Sequence, residues 1–195
     1  MSISDYTPGY ISLFGSCIVN PAKLKAVDAI IAKIMEGKPR YEAVEAKSSV
    51  PWFVIGLIHN LECSLRFDQH LHNGDSLKYP TRNDPAGRPP GWDGTGTWEE
   101  SALDALKYDR LTTVKIWNLP RILFSFETFN GFGYRRYAIN SPYLWGGSNH
   151  YTKGKYVRDH VFDPEARTDQ IGTGVLLFRM VTGGLVALKA EAAET

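Results

Sequence analysis

At 195 residues, 43% hydrophobic and 12% aromatic, the chain is long and apolar enough for a single domain with a buried core, which excludes disorder. Its 22 basic and 21 acidic residues leave a formal net charge of +1, so there is no overall electrostatic case for nucleic acid as the partner. Local patches are compatible with that balance, and a polyanionic polymer is not excluded by it. Cys17 and Cys63 do not make a disulfide framework, and Cys63 reads as a packed thiol. No charged-then-apolar leader opens the sequence, and no apolar run reaches about 18 residues. The expectation is synthesis in the cytoplasm without a signal peptide, no membrane insertion, and export, if any, by another route.

Residues 1–20 mix Gly, Pro and aromatics without helical periodicity and read as an ordered, irregular lead-in. Asn20-Pro21 then gives an N-cap followed by proline at the first helical position. Leu24, Val27, Ile30, Ile31, Ile34 and Met35 repeat at helical spacing, and Gly37 and Pro39 are expected to end that helix. Tyr41 to Lys47 reads as another short helix, and Ser48, Ser49 and Pro51 as the start of the next. From Trp52 to Leu61 apolar residues cover nearly every face, which marks a fully buried helix. Glu62 stands at its C-terminal end. A carboxylate at the mouth of an apolar helix loses solvation of its charged form, so its pKa should rise into a range useful to a general acid.

The polar segment after it, residues 74–97, is rich in Gly, Pro, Asp and Arg. A loop of that length within a compact domain reads as the wall or lip of a cleft, with a small hairpin placed there. Thr97 and Glu100 spell a capping box for a helix through Trp98, Ala102, Leu103 and Leu106. A further amphipathic helix starts near Leu119 and stops at Asn130-Gly131. Residues 140–156 are aromatic and polar, a last apolar helix spans about Gln170 to Thr182, and 187–195 form a charged, alanine-rich tail prone to fray. No repeat or linker divides residues 1–195. The fold class is mainly α, a single helical domain around the buried central helix, with a small β-hairpin.

Four chemistries compete for these residues. His59, His70 and His72 with Glu62, Asp68 and Asp75 suggest metal, but no H-E-x-x-H spacing exists and no cysteine joins, so no metal or other cofactor is expected. Ser64 and Cys63 lie in no nucleophile elbow. The glycines of the long loop and of GFGYRR match no phosphate-binding fingerprint and read as turns. Glycan processing needs a carboxylic acid, aromatic faces and amide or hydroxyl groups. Glu62, Trp92, Trp98, Tyr134, Tyr143, Trp145, Tyr151, Asn73, Asn130 and Asn149 supply them.

The order of a helix ending in Glu-x-Ser, then F-N-G-F-G-Y-R, then N-S-P-Y-L-W with Y-T-K-G-K-Y resembles a lysozyme-superfamily wall hydrolase. It is most similar to phage endolysins and bacterial lysozyme-like proteins that carry an E-S-S-like motif followed by H-L-H-N-G-D, and more distantly similar to goose-type lysozymes and lytic transglycosylases. The matching stretches are about 50–76, 97–107 and 118–182. The resemblance implies a lysozyme-like helical domain with Glu62 as catalytic acid and Ser64 near the serine that hydrogen-bonds around it. The hydroxyl directly after the acid is replaced by Cys63. Phe129-Asn130-Gly131 matches Y-N-A of the transglycosylases, and Tyr134 and Tyr143 are candidates for the tyrosine facing the acid.

The implied activity is peptidoglycan cleavage at the β-1,4 bond after N-acetylmuramic acid, by a monomer. Glu62, Asp75 and Tyr143 are the catalytic candidates, and Ser64, His72, Asn73, Trp98, Asn130, Tyr134 and Trp145 the substrate-binding ones. Asp75, Glu99 and Glu127 are candidates for a second carboxylate that activates water. Without one, attack by a muramic hydroxyl would make a lytic transglycosylase. A chitinase-like hydrolase, a non-catalytic glycan-binding or phage structural module, and a metal-dependent amidase or peptidase are the rivals.

Overall fold

The computed structural model describes residues 2–158 and 160–189. It is mainly helical with one two-stranded antiparallel hairpin. The helices are α1 (Thr7–Gly15), α2 (Leu24–Ser48), α3 (Trp52–Cys63), α4 (Trp98–Tyr108), α5 (Leu119–Asn130), α6 (Pro142–Trp145) and α7 (Thr173–Thr182). The strands are β1 (Lys155–Arg158) and β2 (Val161–Asp163). The chain packs as two compact units, one of residues 1–29 with 118–195 and one of residues 30–117. No linker composition marks the division, because one crossing falls inside α2. Among the described residues no helix is long and apolar enough to cross a membrane.

In the unit of residues 30–117, α3 is the central element. Val54, Ile55, Leu57 and Ile58 are fully buried, each worth about 1.5–3 kcal/mol relative to exposure. The Glu45 carboxylate, reaching from α2, accepts the Trp52 N–H at 3.1 Å and starts the helix in place of the expected serine cap. Ser64, in the left-handed conformation (φ 51°), ends it. The Tyr41 ring lies so close to α2 and α3 that a Cβ at Gly37 would stand 2.8 Å from its hydroxyl, and one at Gly56 3.1 Å from its ring. Gly37 therefore does not stop α2 as expected. It admits an aromatic ring, and α2 runs through Pro39 to Ser48, absorbing the short helix expected at 41–47. The Thr97–Glu100 capping box forms as the sequence indicates, with Thr97 Oγ1 accepting the Glu100 N–H.

In the other unit, α1, α5, α6 and α7 pack together. The lead-in holds a helix after all: Pro8 sits in its first turn, and Tyr10 and Phe14, one turn apart, turn inward. Phe14 meets Phe178 of α7 edge-on, with centroids 5.5 Å apart. The hairpin falls at 155–163, not in the long loop, whose start is tied to the preceding segment by an isolated Gln69–Ser76 bridge. In the tail, 187–189 carry no regular structure, and 190–195 lie outside the described residues.

Candidate functional site

Glu62 is half-buried in the last turn of α3, one residue before the buried Cys63. The chain then reverses and folds back on this helix end. The Cys63 thiol donates to the His70 carbonyl at 3.1 Å. Gly74 N–H also returns to the His70 carbonyl at 2.9 Å, and His70 N–H to the Asp75 carbonyl at 2.7 Å. Gly74 adopts φ +77°, and a Cβ there would stand 2.7 Å from the Glu62 carbonyl oxygen, a distance no side chain tolerates. The H-L-H-N-G-D segment is thus folded tightly against the backbone of Glu62, and only glycine permits the approach.

Side chains hold this loop from beneath. Both His70 ring nitrogens are engaged, Nδ1 with Ser101 Oγ at 2.7 Å and Nε2 with the Tyr79 carbonyl at 2.7 Å. His72 Nε2 lies 2.9 Å from Asp104 Oδ2, and Arg88 grips the same carboxylate through Nε (3.0 Å) and Nη2 (2.6 Å). Burial keeps the His72 imidazole below the usual histidine range despite the Asp104 carboxylate beside it. Asn73 turns the loop, its Oδ1 accepting the Asp75 N–H at 3.0 Å and its Nδ2 donating to the Asn83 carbonyl at 3.1 Å. Burial pushes the Cys63 thiol up to about 12, with the neighbouring Glu62 charge adding to it, so this sulfur donates a hydrogen bond and is no nucleophile.

The three further carboxylates are each committed. Asp75 Oδ2 accepts the N–H groups of Arg82 (2.7 Å) and Asn83 (3.0 Å), and its Oδ1 the Asn83 side-chain amide (2.8 Å). Desolvation works against ionisation there, but these donors prevail and hold the Asp75 carboxyl below the usual range. The Arg40 guanidinium takes Glu99 at 2.5 and 3.0 Å and holds its carboxyl low in the same way. Glu127, buried in α5, receives the Tyr10 hydroxyl at 2.5 Å and both Arg135 donors at 2.8 and 2.6 Å.

Several expected sugar contacts become structural. Trp98 is 1% exposed, packed among His59, Phe67 and Tyr41, and presents no face for stacking. Trp145, 2% exposed, meets His150 edge-on at 5.4 Å and is likewise core. The His72 side chain is wholly buried and turned to Asp104. Ser64 is exposed. Tyr143 is buried in α6, its N–H capped by Ser141 Oγ and its carbonyl accepting the Thr173 hydroxyl at 3.1 Å.

Asn130 and Tyr134 do come together. Both line an open trough of about 610 Å³ in the unit of residues 1–29 and 118–195, with Tyr156, Arg136, Lys155 and Arg158. Tyr134 is pinned there, its hydroxyl accepting the Tyr156 N–H at 3.3 Å and its ring meeting that of Tyr156 edge-on at 5.2 Å. The sequence reading takes the glycines of GFGYRR as a turn and singles out none of the trough cations. The basic spacing of GYRR and KGKYVR was the available signal. Among the described residues no group of three or more His, Cys, Asp or Glu is placed to hold a metal ion. Compared with known proteins, the chain matches no family model, no curated protein and no solved structure.

Proposed function

We propose that the protein is a peptidoglycan-degrading glycosidase of lysozyme type, cleaving the β-1,4 bond between N-acetylmuramic acid and N-acetylglucosamine with Glu62 as general acid. The observation that carries the reading is the build of the α3 end. A half-buried carboxylate stands in the last turn of a helix whose residues 52–58 are all apolar, and the H-L-H-N-G-D loop is locked to its own backbone through Gly74. Such fixation suits an acid that must meet a leaving oxygen in one geometry. Protonated Glu62 gives its proton to the glycosidic oxygen as oxocarbenium character builds on the muramic ring. General acid catalysis supplies about 10²–10⁴-fold, and ring distortion with hydrogen bonds that tighten in the transition state supplies more. The protein acts on the wall after release or export.

A second reading, the lytic transglycosylase, is favoured by one specific observation: Asp75, Glu99 and Glu127 are all held by donors of the fold. With these three engaged in the fold, the muramic 6-hydroxyl can take the place of water, close on its own anomeric carbon and leave an anhydro-sugar.

The test follows the turbidity of purified cell walls with the wild type and a Glu62→Gln variant, each with and without chelator. The reading expects clearing by the wild type regardless of chelator and loss of at least about 10²-fold in Glu62→Gln. Equal pelleting with walls and no clearing by either protein would make it a glycan-binding module, and chelator-sensitive clearing a metal-dependent amidase.

A further inference from the structure

We propose that His72 is an acid-sensitive latch: a proton taken up at its buried ring releases residues 72–75 from α4, and the segment opens reversibly while the helical core of its unit stays folded. The latch lies wholly within the unit of residues 30–117 and does not depend on the glycosidase reading. Where that reading holds, the same opening would disarm Glu62, against whose backbone Gly74 is packed.

Three segments meet at one carboxylate. Asp104 of α4 faces His72 Nε2 at 2.9 Å and accepts from Arg88 Nε and Nη2 at 3.0 and 2.6 Å. Arg88 is itself fixed in the long loop, its N–H donating to Thr81 Oγ1 and its carbonyl accepting the Thr81 N–H, both at 2.8 Å. His70 is tied to α4 separately, through Ser101 Oγ at 2.7 Å, and makes a fixed pivot for the residues after it. Beyond that pivot, His72 is the side chain that joins the segment to Asp104.

The carboxylate balances one cation, and Arg88 already supplies it. A hydrogen bond from Nε2 to Asp104 places the neutral ring's proton on Nε2 and leaves the lone pair on Nδ1. Nδ1 is buried without a hydrogen-bond partner among the described residues, in a side chain that is 0% exposed. A proton arriving there makes an N–H with no acceptor and adds a second buried cation to the cluster. The charged and titratable groups facing the ring are Asp104, Arg88 and His70, whose ring centroid stands 5.9 Å away.

Burial opposes the charged ring most, Arg88 and His70 add to it, and together they outweigh Asp104, so the imidazole is held below the usual histidine range. Once the segment opens, the ring returns to an ordinary value near 6.5. The closed form is therefore fully favoured above about 6.5 and loses ground as pH falls, the opening constant rising by up to about tenfold per pH unit. Two other groups respond only in stronger acid. Asp75, which braces residues 82–83, is held below the usual carboxylate range, and His59 of the core titrates near 4.

The test is native-state hydrogen exchange between about pH 7 and pH 5, each amide corrected for its intrinsic rate, beside an NMR titration of the imidazoles. The reporter amides are His70 N–H, bonded to the Asp75 carbonyl at 2.7 Å, and Gly74 N–H, bonded to the His70 carbonyl at 2.9 Å. In the wild type, protection at both should fall by up to about tenfold per pH unit below 6.5, while Ile55–Ile58 keep theirs and His72 titrates below 6.5. His72→Gln retains a side-chain N–H for Asp104 and cannot titrate, so protection of its loop should not follow pH. Flat protection in the wild type, loss at Ile55–Ile58 in step with the loop, a His72 midpoint at or above 6.5, or the same acid loss in His72→Gln each overturns the latch. Should His72→Gln not fold, wild-type exchange and the ring titration decide the matter by themselves.

Discussion

Glu62 and Gly74 are bound to one another by geometry before any chemistry is considered. A methyl group at residue 74 would sit 2.7 Å from the Glu62 carbonyl oxygen, and φ at that position is +77°. Gly74→Ala should therefore destabilise the protein by about 1–3 kcal/mol through strain and a forced shift of the loop. It should also lower wall-clearing activity further than the lost folded fraction explains. Denaturant unfolding beside a rate normalised to folded protein checks this, and a Gly74→Ala protein as stable and active as the wild type would contradict it. Asp75 offers a second contrast. Its oxygens accept three loop donors, so Asp75→Asn should cost stability by loosening residues 82–83 and retain far more activity than Glu62→Gln. An activity loss in Asp75→Asn equal to that in Glu62→Gln would restore a water-activating role to this carboxylate.

The elements show which parts of the sequence were legible. The Thr97 capping box and the all-round apolar run of α3 follow from local rules, and both appear where those rules put them. The helix boundaries that depart from local expectation concern Gly and Pro. Gly37 and Pro39 lie inside α2 because the Tyr41 ring needs the space over Gly37, a tertiary reason invisible in a window of neighbours. Pro8 opens α1 where the sequence suggested irregular chain. His59, from α3, illustrates the same dependence on packing. Enclosed by Tyr41, Phe67 and Trp98, it keeps Nδ1 at 2.9 Å from the Tyr41 hydroxyl, and burial lowers its pKa to about 4 from an ordinary 6.5. The unfolded chain takes up this proton below about 6.5, whereas the folded chain holds it off until about 4. The stabilisation is thus complete above 6.5 and lost as pH falls through the window down to 4, a span of about 3 kcal/mol. A ring-nitrogen NMR titration should place the His59 midpoint near 4, and a midpoint near 6.5 would show that the ring is not enclosed. In the other unit, Arg135→Met strands the buried Glu127 carboxylate between α1 and α5. The expected cost is about 3 kcal/mol, read from chemical denaturation, and a loss below about 0.5 kcal/mol would mark the pair as a solvated surface bridge.

For the whole molecule, the expectation of one undivided domain came from length and the lack of a linker, and neither reports how contacts cluster. The contacts cluster into two compact units. Native-state hydrogen exchange should find a protected core in each, around Ile55–Ile58 in one and around Leu123 and Val175–Leu177 in the other. The candidate site was legible to an uneven degree. Glu62 and the loop that folds back on it could be read as one stretch because they lie within fourteen residues, Glu62 to Asp75, of continuous sequence. Trp98 and Trp145 could not be told from sugar platforms, since an aromatic side chain looks the same in a core and in a groove. The cationic trough was hidden because Arg136 joins Lys155 and Arg158, neighbours on β1, only through folding. The most direct test of the central claim is mass spectrometry of what purified sacculi release on incubation with the wild type and with Glu62→Gln. The account predicts disaccharide muropeptides ending in N-acetylmuramic acid or its anhydro form from the wild type and none above background from the variant. Equal release by both proteins, or release of peptides without sugars, would contradict it.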